Sequence, residues 1–474
     1  MLALSPNPAY LFPVRLPLYA AILLTVISAA LGVLIFPPFG CVALAPFAWL
    51  PLFFALHGRS AKAGFRLGAL YGVLLFGGTL NWLMEIFSTA CIALILMLAL
   101  FPAIFGAVAA TLSQAKRLPA WLVPVLIAVA WTGCEFYRSE WFVLDFPWIT
   151  PGTGVPPNFL TPFIGVYGVS LLVALSGALL ASSRTKAGRI AGAVLVALML
   201  ALTFIRPAKV TPQEPLRIAT VQTEEQTIDS CLRLSATIQG PVDAIVWPEY
   251  CLSEDLRDRK PDLANARAIM KEKGARLLVL ANPVVLPDHV VENTALSIGL
   301  TEVFGSHVKN RPVHFMERAR PGHEASAIPT PLGKVGTTIC FDNDYEAVVR
   351  RAVSNGAEFL LVPSEDGAAW TAREHLQHAL FVPHRAAENG RWMAVASSSG
   401  LSQIVDPHGN VVAAPIPLME EGVMTGEIGR ETRLTIYTRC GWVIGPVCTV
   451  ATAAMILALL FLEVRRLLAK RKTA

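Results

Sequence analysis

The chain has 474 residues, of which 54% are apolar and 15% charged, with a formal net charge of +5 and a positive mean hydropathy. Soluble domains carry about 25% charged residues, so this composition excludes an ordinary soluble protein and leaves a membrane protein with room for more than one domain. No Arg/Lys cluster interleaved with aromatics occurs, which argues against a nucleic-acid partner.

Crossing the hydrocarbon core takes about 20 mostly apolar residues. Seven candidate spans precede residue 206, at 15–36, 41–57, 66–86, 90–113, 119–136, 161–182 and 187–205, and an eighth lies at 441–462. The N-terminus lacks a signal-peptide pattern with a cleavage site, so the first stretch is expected to stay as a span. Basic residues gather in alternate connections: Arg59, Lys62 and Arg66; Lys116 and Arg117; Arg184, Lys186 and Arg189. The tail adds Arg465, Arg466, Lys470, Arg471 and Lys472. Alternating spans put all four groups on one side, which is cytoplasmic by the positive-inside rule. Both termini are then expected in the cytoplasm, with loop 137–160 and segment 207–440 on the opposite side. Glu85 and Glu135 lie near the outer ends of the third and fifth spans. Intramembrane charge is costly, so each is expected to reach the interface or pair locally, Glu135 with Arg138.

The eight cysteines, at 41, 91, 134, 231, 251, 340, 440 and 448, form no CxxC pair and no zinc pattern. Cys41, Cys91, Cys134 and Cys448 fall in apolar segments, where cysteine is a small hydrophobe. A Cys231–Cys251 disulfide is conceivable. The expected organisation is a seven-span domain at 1–206, an extracytoplasmic α/β domain at 207–440, and a final span with a basic tail at 441–474.

Within 207–440, strand-like runs occur at Leu216–Val221, Ala244–Trp247, Arg276–Leu280, Lys334–Cys340, Phe359–Val362 and Met393–Ala396, with helical patterns at Ala264–Lys273 and Tyr345–Ser354 between them. Asp406-Pro407-His408-Gly409 is a hairpin-turn signal. Three pieces carry chemistry. Trp247-Pro248-Glu249 ends a strand in a carboxylate. Lys309-Asn310-Arg311-Pro312 is followed by Phe315-Met316-Glu317. The run Val335–Asp342 ends a strand in Cys340.

A lone strand cysteine is most often a buried hydrophobe. It becomes a nucleophile when a base takes its proton, because the thiolate is the reactive form. Glu249 can be that base. Lys309 can hold the thiolate and then an oxyanion, and the Phe341 N–H can donate to the same oxyanion. The three side chains make a complete set for acyl transfer through a thioester.

The globular segment resembles the nitrilase, or carbon–nitrogen hydrolase, superfamily. The matching pieces are Trp247-Pro248-Glu249, Lys309 with Glu317, Gly336 through Asp342, and Arg385-Ala386-Ala387-Glu388-Asn389-Gly390, in the family's order. The resemblance implies an α-β-β-α sandwich with Glu249 as base, Lys309 as cation, Cys340 as nucleophile and Glu317 as supporting glutamate. The whole chain resembles the apolipoprotein N-acyltransferase family. The further matches are Phe36-Pro37-Pro38-Phe39-Gly40, Asn81-Trp82, Glu135 with Arg138, Phe146-Pro147-Trp148 and Gly165-Val166-Tyr167-Gly168-Val169-Ser170.

That resemblance implies an enzyme of the bacterial inner membrane needing no metal or organic cofactor. Its partners are a phospholipid acyl donor and the α-amino group of diacylglyceryl-cysteine in an apolipoprotein. Trp370, Trp148 and Glu388 are its substrate or lid candidates, and loop 137–160, with Trp141, Phe142, Phe146 and Trp148, is suited to interfacial contact. The chain departs from the family at Phe341-Asp342, where Tyr-Glu is expected, and at Ser364-Glu365-Asp366-Gly367, where a Ser-Asn-Asp-Ala-Trp-like run is usual. Its arm between Glu317 and Cys340 is also short. Two other readings use the same residues: a membrane-tethered amidase or nitrilase with water as acceptor, and a non-catalytic membrane scaffold.

Overall fold

The computed structural model describes residues 15–472. Residues 1–14 of the expected seven-span region and 473–474 of the basic tail lie outside the described residues, as do the side chains of Arg466, Lys470, Arg471 and Lys472. The chain divides into two compact units. One runs up to Pro156 and continues through Val166–Ile205 and from Trp442 onward; the other comprises Pro157–Gly165 and Arg206–Gly441.

The first unit is helical. Five helical stretches among the described residues are long and apolar enough to cross a membrane: Leu18–Ile35, Leu83–Ser113, Thr161–Ser182, Lys186–Phe204 and Gly441–Arg465. Of the remaining expected spans, 66–86 overlaps the 19-residue helix Ala61–Thr79, and the other two take shorter forms. The segment 41–57 is a 3-10 turn at Val42–Leu44 followed by a helix of only 7 residues, Leu50–Leu56. Pro46 and Pro51 lack the N–H that a continuous helix would need there. Leu122–Phe136 has 15 residues and runs on into a π-helical turn, Tyr137–Trp141. The helix Thr161–Ser182 is broken at Gly165, whose φ of 60° and ψ of −172° are non-helical. The chain passes from one unit to the other at that break.

Lipid tails are as apolar as leucine, so membrane helices associate through close packing rather than through hydrophobic burial. Gly64, Gly68 and Gly72 lie on one face of the helix Ala61–Thr79 and bring its backbone against Cys91–Ser113. A Cβ at Gly68 would lie 2.0 Å from the Pro102 carbonyl oxygen, and one at Gly64 would lie 2.2 Å from that of Gly106.

The two acidic residues expected within spans behave differently. Glu85 is exposed. Glu135 is buried: Trp131 Nε1 donates to its Oε2 at 2.9 Å, and the expected partner Arg138 interacts with it electrostatically. Arg138 also donates to the Phe146 carbonyl at 2.7 Å and lies over the Phe76 ring.

The second unit contains eleven strands: β1 (Leu216–Gln222), β2 (Ala244–Glu249), β3 (Leu277–Val285), β4 (Val291–Ile298), β5 (Val303–Val308), β6 (Ala327–Thr330), β7 (Gly333–Gly336), β8 (Phe359–Pro363), β9 (Met393–Ala396), β10 (Gln403–Val405) and β11 (Gly422–Ile428). They form a six-stranded sheet in the order β11-β1-β2-β3-β4-β5 and a five-stranded sheet in the order β10-β9-β8-β7-β6. Strands β1, β2 and β3 run parallel, as do β7, β8 and β9.

Side chains alternate along a strand, so each sheet presents two faces. Ile218, Val246, Leu277 and Val279 of the first sheet meet Val335, Phe359, Leu361 and Ala394 of the second in one core. The opposite face of the first sheet, with Val221, Trp247 and Leu280, packs on the helices Ile228–Ala236 and Lys260–Lys273. The opposite face of the second, with Leu360, Val362 and Val395, packs on the helices Glu346–Ser354 and Phe381–Asn389. The result is the α-β-β-α sandwich.

All six expected strand runs are strands, but β7 stops at Gly336 and leaves Cys340 in a following 3-10 turn, Cys340–Asn343. The Asp406–Gly409 turn is present, with Gly409 N–H donating to the Asp406 carbonyl. Cys231 and Cys251 are buried free thiols, so the conceivable disulfide is absent.

The glycine seam yields a stability prediction. Gly68→Ala should destabilise the helical unit by about 1–3 kcal/mol, because the added methyl must push two backbones apart. Gly77→Ala on the same helix meets nothing within 4 Å and should cost nothing. Thermal unfolding of the two variants in detergent measures the contrast.

Candidate active site

Glu249 closes β2, where Pro248 interrupts the ladder and the register with β3 shifts between Val246 and Glu249. Lys309 directly follows β5, and its N–H bonds the Asn293 carbonyl of β4 at 2.8 Å. Cys340 opens the turn after β7 with φ of 44°, in the left-handed region that costs a non-glycine residue on the order of 1 kcal/mol. All three side chains are buried, with 1%, 1% and 5% exposure.

The structure brings Glu249, Lys309 and Glu317 together in one network. Lys309 Nζ donates to Glu249 Oε1 at 2.8 Å and to Glu317 Oε1 at 2.9 Å. Asn293 Nδ2 donates to Glu249 Oε1 at 2.5 Å and to Glu317 Oε1 at 3.0 Å. Glu317 also accepts from Tyr250 Oη at 2.6 Å and from the Val313 N–H at 2.7 Å. The Glu365 backbone completes the connection: its N–H donates to Glu249 Oε2 at 3.1 Å, and its carbonyl accepts from Cys340 Sγ at 3.4 Å.

The electrostatics separate the two glutamates. Burial raises Glu249 above the usual carboxylate range, and Lys309 only partly offsets it. Burial also acts on Glu317, but Lys309, Tyr250 and the Val313 N–H outweigh it and hold that carboxyl low. Glu317 is therefore the fixed counter-ion and Glu249 the group able to take a proton. Burial alone would lower Lys309, yet Glu249, Cys340 and Glu317 keep its ammonium well above the ordinary value. Burial and the Glu249 charge push the Cys340 thiol well up, so at rest the sulfur holds its proton.

Asp342 is the residue that sequence reading passed over. It is fully buried, and its Oδ1 accepts from the backbone N–H groups of Asn310 at 2.9 Å and Arg311 at 2.8 Å. Its Oδ2 meets His307 Nε2 at 2.9 Å and the Ile339 N–H at 3.2 Å. One carboxylate thus ties the lysine loop to the cysteine turn. Its place within the Cys340 motif was the available signal. Asn293 and Tyr250 carried none, being single polar residues beside apolar runs.

The other candidates lie apart from this network. Phe341 packs edge-on against Tyr345, with ring centroids 5.3 Å apart. Trp370 is half-buried after β8, and its N–H caps the Gly367 carbonyl. Glu388 is fully buried and paired with Arg385 at 3.0 Å. Trp148 belongs to the helical unit and is buried against Trp82 and Phe146, so it offers no exposed surface; Trp141, at 50% exposure, does.

Below the Cys340 turn, Asp366, Glu374 and His378 bring three ligand-type atoms within 4.8 Å of one another. Both His378 nitrogens are already engaged, Nδ1 by Asp366 at 2.5 Å and Nε2 by Asp344 at 3.3 Å. Burial opposes charge on that ring, but the two aspartates hold it well above its ordinary value. The group is an ion-paired clamp between the 340–344 turn and the segment after β8. A cavity of about 640 Å³ in the same unit is lined by Phe163, Arg433, Leu434, Ile436 and Arg439 among others, and by none of the three site residues.

Residues 28–179 match the family model described as apolipoprotein N-acyltransferase N-terminal domain, and residues 213–436 match the carbon-nitrogen hydrolase model. Together the two matches take in most of the chain. Curated relatives named apolipoprotein N-acyltransferase include that of Geobacter metallireducens, 27% identical over 94% of this chain and 97% of the relative. That of Pseudomonas paraeruginosa is 26% identical over 88% and 93%. Among solved structures, Saccharomyces cerevisiae Nit3, a member of branch 10 of the nitrilase superfamily, matches 47% of this chain and 93% of its own at 20% identity and a TM-score of 0.40.

Two predictions follow from the geometry. If Glu249 is the base and Cys340 the nucleophile, the base acts only when ionised, so the raised Glu249 moves the rising limb of a pH–rate profile above the usual carboxylate range. Below that limb the rate of Cys340 acylation should fall tenfold per pH unit, and rapid-quench measurement across pH reads the position. Asp342→Asn presents an N–H₂ to backbone donors and should destabilise the second unit by on the order of 3 kcal/mol. Denaturant unfolding of the intact chain measures this loss, and acylation should fall with it because the cation loop and the nucleophile turn separate.

Proposed function

We infer function from family: this chain belongs to the apolipoprotein N-acyltransferase family, and it N-acylates lipoproteins at the membrane. The observation that carries this reading is a pair of matches in one chain. An acyltransferase-type membrane region is joined to a carbon–nitrogen hydrolase unit in which Glu249, Lys309 and Glu317 share one buried hydrogen-bonded network beside Cys340.

In the mechanism we propose, Cys340 gives its proton to Glu249 and attacks the ester carbonyl of a phospholipid. The oxyanion faces the Lys309 ammonium and the Phe341 N–H. The ester C–O bond breaks, the leaving alkoxide takes the proton back from Glu249, and a lysophospholipid departs with Cys340 left as a thioester. The α-amino nitrogen of diacylglyceryl-cysteine then attacks the thioester carbonyl, the C–S bond breaks, and the amide is released. General-base catalysis contributes about 10²–10⁴-fold in such a scheme, and an oxyanion donor about 10²–10³-fold.

The chain makes eight passes in this reading. The five long apolar helices are joined by three shorter or more polar helical segments, around Leu50–Leu56, Ala61–Thr79 and Leu122–Phe136. The four basic groups face the cytoplasm, and residues 207–440 face the periplasm. Both substrates are lipid-anchored, so the arm after Lys309 matters. Its Phe315, 79% exposed, and neighbouring Met316 suit contact with acyl chains or the bilayer surface.

Mass spectrometry of the purified protein incubated with phospholipid tests the reading. A mass increase of one acyl chain is expected on Cys340, absent in Cys340→Ala and discharged by a diacylated lipopeptide. No adduct together with hydrolysis of small amides would favour the amidase chemistry instead.

A further inference from the structure

Glu365 touches both members of the proton-transfer pair through its backbone and still has a carboxyl to spare. Its N–H holds Glu249 and its carbonyl meets Cys340 Sγ, as described above. Its side chain is only partly buried, unlike those of Glu249, Lys309 and Cys340. Oε1 accepts from Gln226 Nε2 at 2.6 Å, and Oε2 has no hydrogen-bond partner among the described residues. The carboxylate stands where the family resemblance leads one to expect an asparagine amide.

The second half-reaction has an unmet proton requirement. An α-ammonium that becomes an amide nitrogen loses two protons, and only one returns to the sulfur. Glu249 regains its carboxylate when the lysophospholipid leaves, so it can relay one proton to the departing thiolate. The Lys309 ammonium has no lone pair to accept another. Glu317 is fully engaged by Lys309, Asn293, Tyr250 and the Val313 N–H. The remaining proton needs a second, more accessible base.

We propose that the Glu365 carboxylate binds the α-ammonium of the lipoprotein acceptor and takes its first proton, freeing the nitrogen to attack the Cys340 thioester. This rests on the acyl-enzyme reading above. The neutral amine adds to the thioester carbonyl carbon and the C–S bond breaks. The second N–H proton passes through Glu249 to Sγ, and Glu365 releases its proton to water. Electrostatics suits the exchange: burial, Glu249, Glu224 and Glu317 push the Glu365 carboxyl up to about 8 against the pull of Lys309. An α-amine titrates near 7.7–8.0, so the proton moves almost without a free-energy change, to within about a kcal/mol.

The test separates the half-reactions in the full-length protein. Adduct formation on Cys340 is timed with phospholipid alone, and adduct decay is then timed after adding a diacylated lipopeptide. In Glu365→Gln the backbone contacts and side-chain volume remain. Near pH 7 the ratio of decay to formation rates should fall by up to about 10-fold, the factor set by the small neutral fraction of the acceptor amine there. It should recover as the pH passes above the amine pKa, where the acceptor arrives neutral; Glu249, Lys309, Glu224 and Glu317 face the position in both proteins and cancel in the comparison. Glu365→Asp should keep part of the wild-type ratio. A ratio unchanged near pH 7, or one that falls and stays low at high pH, would overturn the proposal. Equal loss in both steps would also overturn it, since that pattern belongs to a residue acting only through Cys340. Absence of an adduct in the wild-type protein would instead sink the acyl-enzyme reading before any variant is made.

Discussion

The active unit is organised around a lysine ammonium held out of water. An unpaired buried charge costs several kcal/mol, and Lys309 avoids that cost by lying between Glu249 and Glu317. Two carboxylates this close could not both ionise without it. With both ionised the trio keeps one excess negative charge, and the local hydrogen bonds decide where that charge is felt. Tyr250 and the Val313 N–H stabilise Glu317, so the excess falls on Glu249. Burial is the larger force raising Cys340 and Glu365, and the Glu249 charge adds to it. Burial and one ion triplet together set the resting protonation of Glu249, Cys340 and Glu365.

Backbone geometry serves the same arrangement. The Cys340 φ in the left-handed region persists because the turn is held from several directions. Asp342 fixes it to the lysine loop, Asn343 Nδ2 bonds the Cys340 carbonyl at 2.9 Å, and the His378 clamp holds the segment after β8 beneath it. The three segments that carry Lys309, Cys340 and Glu365 are therefore joined by charged hydrogen bonds that do not involve the reacting atoms.

Much of this was legible in the sequence. The strands sandwiched in the middle of both sheets, such as β2 with Ile245, Val246 and Trp247, are apolar on both faces and read as uninterrupted runs. Glu249, Lys309 and Cys340 were found because each sits at the end of such a run or in a motif of the resembled family. Strands β4 and β5 were missed because they place polar side chains inward: Asn293, Thr294 and His307 are buried, and they break the apolar pattern that marks a strand. The membrane region departed from the expectation in form. Apolar content marked 41–57 as a span, and Pro46 and Pro51 divide it into a 3-10 turn and a short helix. Glu135 interacts with Arg138, as charge matching suggests, but it also accepts from an indole, which no charge-matching rule would select.

The loop between Lys309 and Gly322 has a further consequence. It is cinched at its base, where Gly322 N–H bonds the Lys309 carbonyl at 2.8 Å, and again by Glu317 reaching back to the ammonium. Between those ties lies an exposed tip at His314–Met316. The entropy of closing such a loop grows only with the logarithm of its length. The tip can therefore lengthen, shorten or change polarity over evolutionary time while the chemistry at its base stays fixed. In this chain, change at the loop's tip is mechanically uncoupled from the ion network that holds its base.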